Sequence, residues 1–177
     1  IILAGATGRT IVLTLGELAI TDTTGKTTIT GPGVDLLTIS GNLASRIFNV
    51  GSGATAAISG LTFANGYGNA ILSAGTLTVV GCAIVSSGCG IRSTGTLAVA
   101  DCTIAGNQGG SGVGVFTIGT ATISNCSIVD NWAVDSGGGV YNARTLTVVR
   151  STIVGNTALR LGGGIYNAGM ATIVDST

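Results

Sequence analysis

The chain contains no histidine, one proline and one methionine, and only 8% of its 177 residues are charged. Aromatic residues are scarcer still, at 4%. Each shortage excludes something. Without histidine, a metal site would have to be assembled from thiols and carboxylates alone. Seven scattered basic residues, balanced by seven acidic ones, make no patch for a nucleic-acid backbone, so no nucleic-acid partner is expected. No run of 18 apolar residues occurs, so no transmembrane helix is expected. Low hydrophobicity with high net charge, the mark of a disordered chain, is also missing. The first residues, IILAGATGRT, show neither an initiator Met nor a charged-then-apolar signal pattern. Either a leader has been removed or the segment belongs to a longer polypeptide.

What remains is 45% hydrophobic, supplied by Ile, Val, Leu and Ala and mixed with Thr, Ser and 31 glycines. The β-branched residues favour a pleated, half-buried surface, while helix-forming Glu, Lys, Gln and Met are nearly absent. An all-β chain with many tight turns follows.

The pattern repeats. GGGVYN at 137–142 returns as GGGIYN at 162–167, and TLTVV at 76–80 returns at 145–149. TLAVA (96–100), TATIS (120–124) and MATIV (170–174) keep the same step, with anchors Val79, Val99, Ile123, Val148 and Ile173 spaced 20, 24, 25 and 25 residues apart. Two further segments run in phase, one through CAIVSSG (82–88) and STIVGNT (151–157), the other through NAILSAG (69–75) and GGIYNAG (163–169). Three short β-type segments per repeat, separated by Gly, Asn or Ser, predict a parallel β-helix with three strands per coil. Residues 68–177 form regular repeats of 20–25 residues, and 1–67 form irregular opening coils of the same single domain. About seven coils at roughly 4.8 Å each give a rod about 35 Å long.

Strand alternation then assigns directions. Val79 and its equivalents, the column Ile84, Ile104, Ile128, Ile153, and the column Ile71, Ile91, Val115, Val140, Ile165 face inward. Cys82, Cys102 and Cys126 share a further inward position, continued by Ser151 and Ser176. Parallel side chains do not converge for disulfides and a linear stack cannot surround a metal, so these read as buried thiols, as does Cys89. Asn107, Asn131 and Asn156 make a structural column, because Asn tolerates left-handed backbone and can bond to the backbone or to the next Asn.

GGGVYN and GGGIYN, paired with IVDN (128–131), IVGN (153–156) and IAGN (104–107), resemble the GGA[I/L] and FxxN repeats of chlamydial polymorphic outer-membrane proteins. They are more similar still to large bacterial surface proteins with right-handed β-helix repeats. The resemblance is good over 68–177 and looser over 1–67, where TIVLTLGELAIT resembles opening coils. It implies a right-handed β-helix exported to the cell surface, often as an adhesin or stalk.

Polysaccharide chemistry is the enzymatic alternative for such a fold, and it needs paired carboxylates or a calcium cluster. Asp101, Asn125, Arg150 and Asp175 instead fall in one corner column, with Arg150 expected to flank Asp175. Asp130 and Asp135 flank the loop DNWAVD, and Arg160 replaces Asp135 one coil later, which predicts an ion pair. No enzyme activity, metal or cofactor is expected. A candidate partner stripe comprises Phe116, Tyr141 and Tyr166, following Leu72 and Arg92, with Trp132 as a further aromatic that could face a glycan or cell-surface partner. A candidate surface-binding array comprises Thr76, Thr78, Thr96, Thr120, Thr122, Thr145, Thr147 and Thr172, interrupted by Ala98 and Met170. Such T-x-T columns resemble the face of some ice-binding proteins.

With no capping helix legible at either end, the rod is expected to stack end to end or to continue in a longer chain. The reading is an extracellular or cell-surface structural protein that is expected to form filaments. An adhesin stalk, or a carbohydrate-binding or -processing β-helix with active residues elsewhere, is the alternative.

Overall fold

In the computed structural model, which describes residues 8–177, the chain winds through three parallel seven-stranded sheets, with no helix among the described residues. Residues 1–7, where a leader was sought, lie outside the described part. Each coil gives one strand to each sheet in the same order. The first coil contributes Arg9–Val12, Leu18–Ile20 and Lys26–Thr30, and the last contributes Thr152–Val154, Ile165–Asn167 and Met170–Val174. This is the seven-coil parallel β-helix that the repeat predicts.

The three inward columns stack in register. Val79 pairs with Val99, Val99 with Ile123, Ile123 with Val148 and Val148 with Ile173 on the third sheet. Ile84, Ile104, Ile128 and Ile153 do so on the first sheet, and Ile71, Ile91, Val115, Val140 and Ile165 on the second. Up to the sixth coil these residues are fully buried. Burying each such side chain contributes about 1.5–3 kcal/mol, so the columns dominate the stability.

Residues 9–67 keep the same three ladders, with Ile39 and Phe63 continuing the first sheet's column and Phe48 the second's. Phe48 and Phe63 meet edge to face, with centroids 5.6 Å apart, inside the core. What varies in these coils is the corners, not the pairing.

Two corners have backbone that the repeat alone does not announce. After the third-sheet strand, Gly60, Gly81, Asp101, Asn125, Arg150 and Asp175 all take positive φ, between 45° and 64°. After the first-sheet strand, Asn65, Ser86, Gly106, Asp130 and Gly155 do the same. The left-handed residue at this second corner thus stands immediately before Asn107, Asn131 and Asn156, which are left free to project inward.

The repeated hexapeptide lies at the corner leading into the second sheet. The N–H groups of Gly137, Gly138 and Gly139 donate to the carbonyls of Leu161, Gly162 and Gly163 at 2.9, 3.2 and 2.9 Å. A Cβ on Gly139 would lie 2.6 Å from the Gly164 carbonyl oxygen, so the coils approach too closely for any side chain. Near this corner the last three coils form an additional short ladder, Gln108–Gly109, Trp132–Ala133 and Thr157–Ala158. Three strands per coil therefore becomes three plus a short fourth in coils five to seven, because the longer corner there has enough chain to pair.

Candidate functional site

The third sheet displays the threonines. Thr55, Thr76, Thr96, Thr120 and Thr145 stack in one outward column between Lys26 and Met170. The second column runs Thr28, Ala57, Thr78, Ala98, Thr122, Thr147 and Thr172. All eight predicted threonines are on this one face, and the register adds Thr55, whose strand TAAIS shares only its first residue with TLTVV.

The aromatic stripe runs along the second sheet. Phe116 and Tyr141 stack with centroids 4.7 Å apart and planes 8° apart, and Tyr141 and Tyr166 follow at 4.9 Å and 27°. The Arg92 guanidinium carbon sits 3.9 Å from the Phe116 ring centroid. Phe116 and Tyr141 thus have both ring faces occupied within the rod and present edges outward. Trp132 is not part of this stack. It stands half-buried on the short ladder between Gln108 and Thr157.

The asparagine column is a hydrogen-bonded ladder. Asn107 Nδ2 donates to Asn131 Oδ1, and Asn131 Nδ2 to Asn156 Oδ1, each at 2.9 Å. Ser87 joins it, its N–H donating to Asn107 Oδ1 at 3.0 Å. A second ladder, in which Asn142 donates to Asn167, escaped the sequence reading although the YN of both hexapeptides marks it.

Cys82, Cys89, Cys102 and Cys126 are all free and buried. The column continues as predicted, with the Cys126 N–H donating to Ser151 Oγ and the Ser151 N–H to Ser176 Oγ, both at 3.1 Å. The hydrogen bond to Cys102, together with burial, pushes the Cys126 thiol up, which keeps it protonated.

Two ion pairs form among the described residues, Arg46 with Glu17 and Arg160 with Asp135. Arg160 Nε lies 3.7 Å from Asp135 Oδ1, the ion pair that the replacement between coils implied. Arg150, expected to flank Asp175, instead donates from Nε to Asn125 Oδ1 at 3.0 Å, and Asn125 donates to Asp101. The side chain reaches back along the corner toward the preceding coil. Glu17 was not placed in any site by the sequence. It accepts hydrogen bonds from Arg46 and Asn49, and the Arg46 bond holds its carboxyl below the usual range. Among the described residues no group of three His, Cys, Asp or Glu comes together to hold a metal ion.

The profile of the right handed beta helix region family matches residues 23–177. The chain belongs to that family. Membership makes the coil right-handed, as the usual hand of parallel crossovers also requires. No curated protein and no solved structure matches the chain. The right-handed β-helix serves both enzymes and non-enzymes, so its function has to be argued from its surfaces.

Proposed function

We propose that this right-handed β-helix is a structural protein of the cell surface or extracellular space that assembles end to end into filaments. The observation that favours this is a match between the two edges of the rod. In the seventh coil Ile165 is half-buried and Ile173 is 52% exposed. Their columns begin in the first coil with Leu18, 41% exposed, and with Ile29, only 6% exposed. Setting one copy on another would place Leu18 over Ile165 and Ile29 over Ile173, continuing both columns as one more coil would. On the first sheet Thr177 already exchanges hydrogen bonds with Ser151 and Ile153, so the second and third sheets provide the match. The same edge would accept further coils of a longer chain, in which case the rod is a stalk.

Low charge, an exposed Thr-rich face and carboxylates engaged by Arg46 and Arg160 favour a structural over a catalytic role. Sedimentation velocity over a range of concentrations tests the reading. Wild type is expected to grow into long species, and Ile173→Lys, at an already exposed position, to remain a single rod. Wild type sedimenting as a single rod at every concentration would refute assembly.

A further inference from the structure

The coil between Gly81 and Ala100 is the shortest of the regular repeats, and the shortening lies at one corner. There only Gly88–Gly90 separate Ser87 from Ile91, whereas the next coil places Gln108–Gly114 between the equivalent Asn107 and Val115. Beside this short corner lies a notch of about 760 Å³, with Tyr67, Cys89 and Arg92 among its lining residues.

Arg92 is the notable group. Its guanidinium carbon lies over the Phe116 ring, 3.9 Å from the centroid, and Tyr141 stacks against the same ring. Contact of this kind restrains the guanidinium while leaving N–H donors available. Neither ion pair among the described residues includes Arg92, and no Asp or Glu lines the notch. Cys89 does not offset the charge, because burial pushes its thiol up to about 12 and it donates to the Gly112 carbonyl at 3.0 Å. Tyr67, which lines the notch, is 68% exposed. The side-chain amides of Asn69 and Gln108 line the same notch and make no hydrogen bonds within the described residues. A fixed, unpaired planar cation beside an exposed aromatic ring and free amides suits a planar anion attached to a hydroxylated body.

We propose that the notch binds a carboxylate carried on a hydroxylated ring of about monosaccharide size, with Arg92 gripping the carboxylate and Tyr67 covering the ring. The site lies on the flank in the middle coils, so the proposal stands apart from end-to-end assembly.

Titration with glucuronate, with glucose and acetate as parallel probes, tests it by calorimetry and by the Arg92 Nε–Hε NMR signal. Glucuronate is expected to bind at least about tenfold more tightly than either probe, since charge-assisted bidentate pairing adds to ring contact. Arg92→Gln should lose at least about tenfold and Arg92→Lys should recover only part, because lysine lacks the fork. Tyr67→Ala, at an exposed position, should weaken glucuronate without affecting acetate. If Arg92→Gln fails to fold, the wild-type Nε–Hε signal decides, since it must move with glucuronate and stay with glucose. Equal binding of glucuronate and glucose, or undiminished binding in folded Arg92→Gln, overturns the proposal. Acetate binding as tightly as glucuronate overturns the ring component.

Discussion

Asn131 sits directly over Asn156, and one oxygen joins them twice: Asn156 Oδ1 accepts from both the Nδ2 and the backbone N–H of Asn131, at 2.9 and 3.0 Å. Asn131 in turn accepts from Asn107 and donates to the carbonyls of Ile104 and Val129. A fully buried amide with every polar atom engaged ties three coils together at a corner where the backbone has just turned left-handed.

Replacing that amide should therefore be severe. Asn131→Ala strands the N–H of Asn107 and removes the donors to two carbonyls, at a cost of about 2–4 kcal/mol. Asn131→Asp is expected to be at least as harmful at neutral pH, because a carboxylate cannot donate to Ile104, Val129 or Asn156. Urea unfolding of both variants checks this. A loss below about 1 kcal/mol for either would show that the ladder is not a principal stabilising feature.

Gly139→Ala should destabilise the rod by more than about 2 kcal/mol, since the added carbon would meet the Gly164 carbonyl oxygen at 2.6 Å and force the coils apart. Gly110→Ala, where the added carbon meets nothing, is the control and should be nearly silent. Thermal melts of the pair provide the comparison.

Ser93 offers the opposite sign. Its hydroxyl is completely buried and has no hydrogen-bond partner. Removing an unsatisfied buried hydroxyl should be neutral to stabilising, by up to about 1 kcal/mol for Ser93→Ala. A clear loss of stability in urea would mean that the hydroxyl is engaged.

How far the sequence reached depends on what kind of order was asked for. Columns of Ile and Val were legible because alternation and a fixed repeat assign both direction and partner, as with Val79 and Val99. The corners were harder. Gly60, Gly81, Asp101, Asn125, Arg150 and Asp175 share one left-handed conformation but four residue types, and Arg150 gives no sign of it. Arg150 bonds to Asn125 because of a side-chain direction that spacing does not encode. The stripe Phe116, Tyr141, Tyr166 was visible as a column, but whether its rings face outward or one another depends on rotamers. The Arg92 notch was invisible for a related reason. It comes from residues missing at a corner, which a search for shared motifs passes over.

Acid should loosen the opening coils first. Glu17 has its pKa held below the ordinary 4.5, chiefly by the hydrogen bond from Arg46, so its contribution is present above that value and is lost as pH falls through the lowered one. The pair is partly exposed, and such pairs are worth about 0–1 kcal/mol, so the effect is at most about fivefold in local opening. Exchange of the Leu18 amide, which donates to the Ile47 carbonyl, measured between pH 5 and 3 and corrected for intrinsic rate, reports it. Glu17→Gln should abolish the pH dependence. An unchanged profile in that variant would assign the effect elsewhere.

The most direct test of the central proposal is electron microscopy of the native protein, neither refolded nor fused to a tag. End-to-end assembly predicts long filaments with an axial repeat near seven coil spacings, about 34 Å at roughly 4.8 Å per coil. A field of isolated rods at high concentration would contradict it.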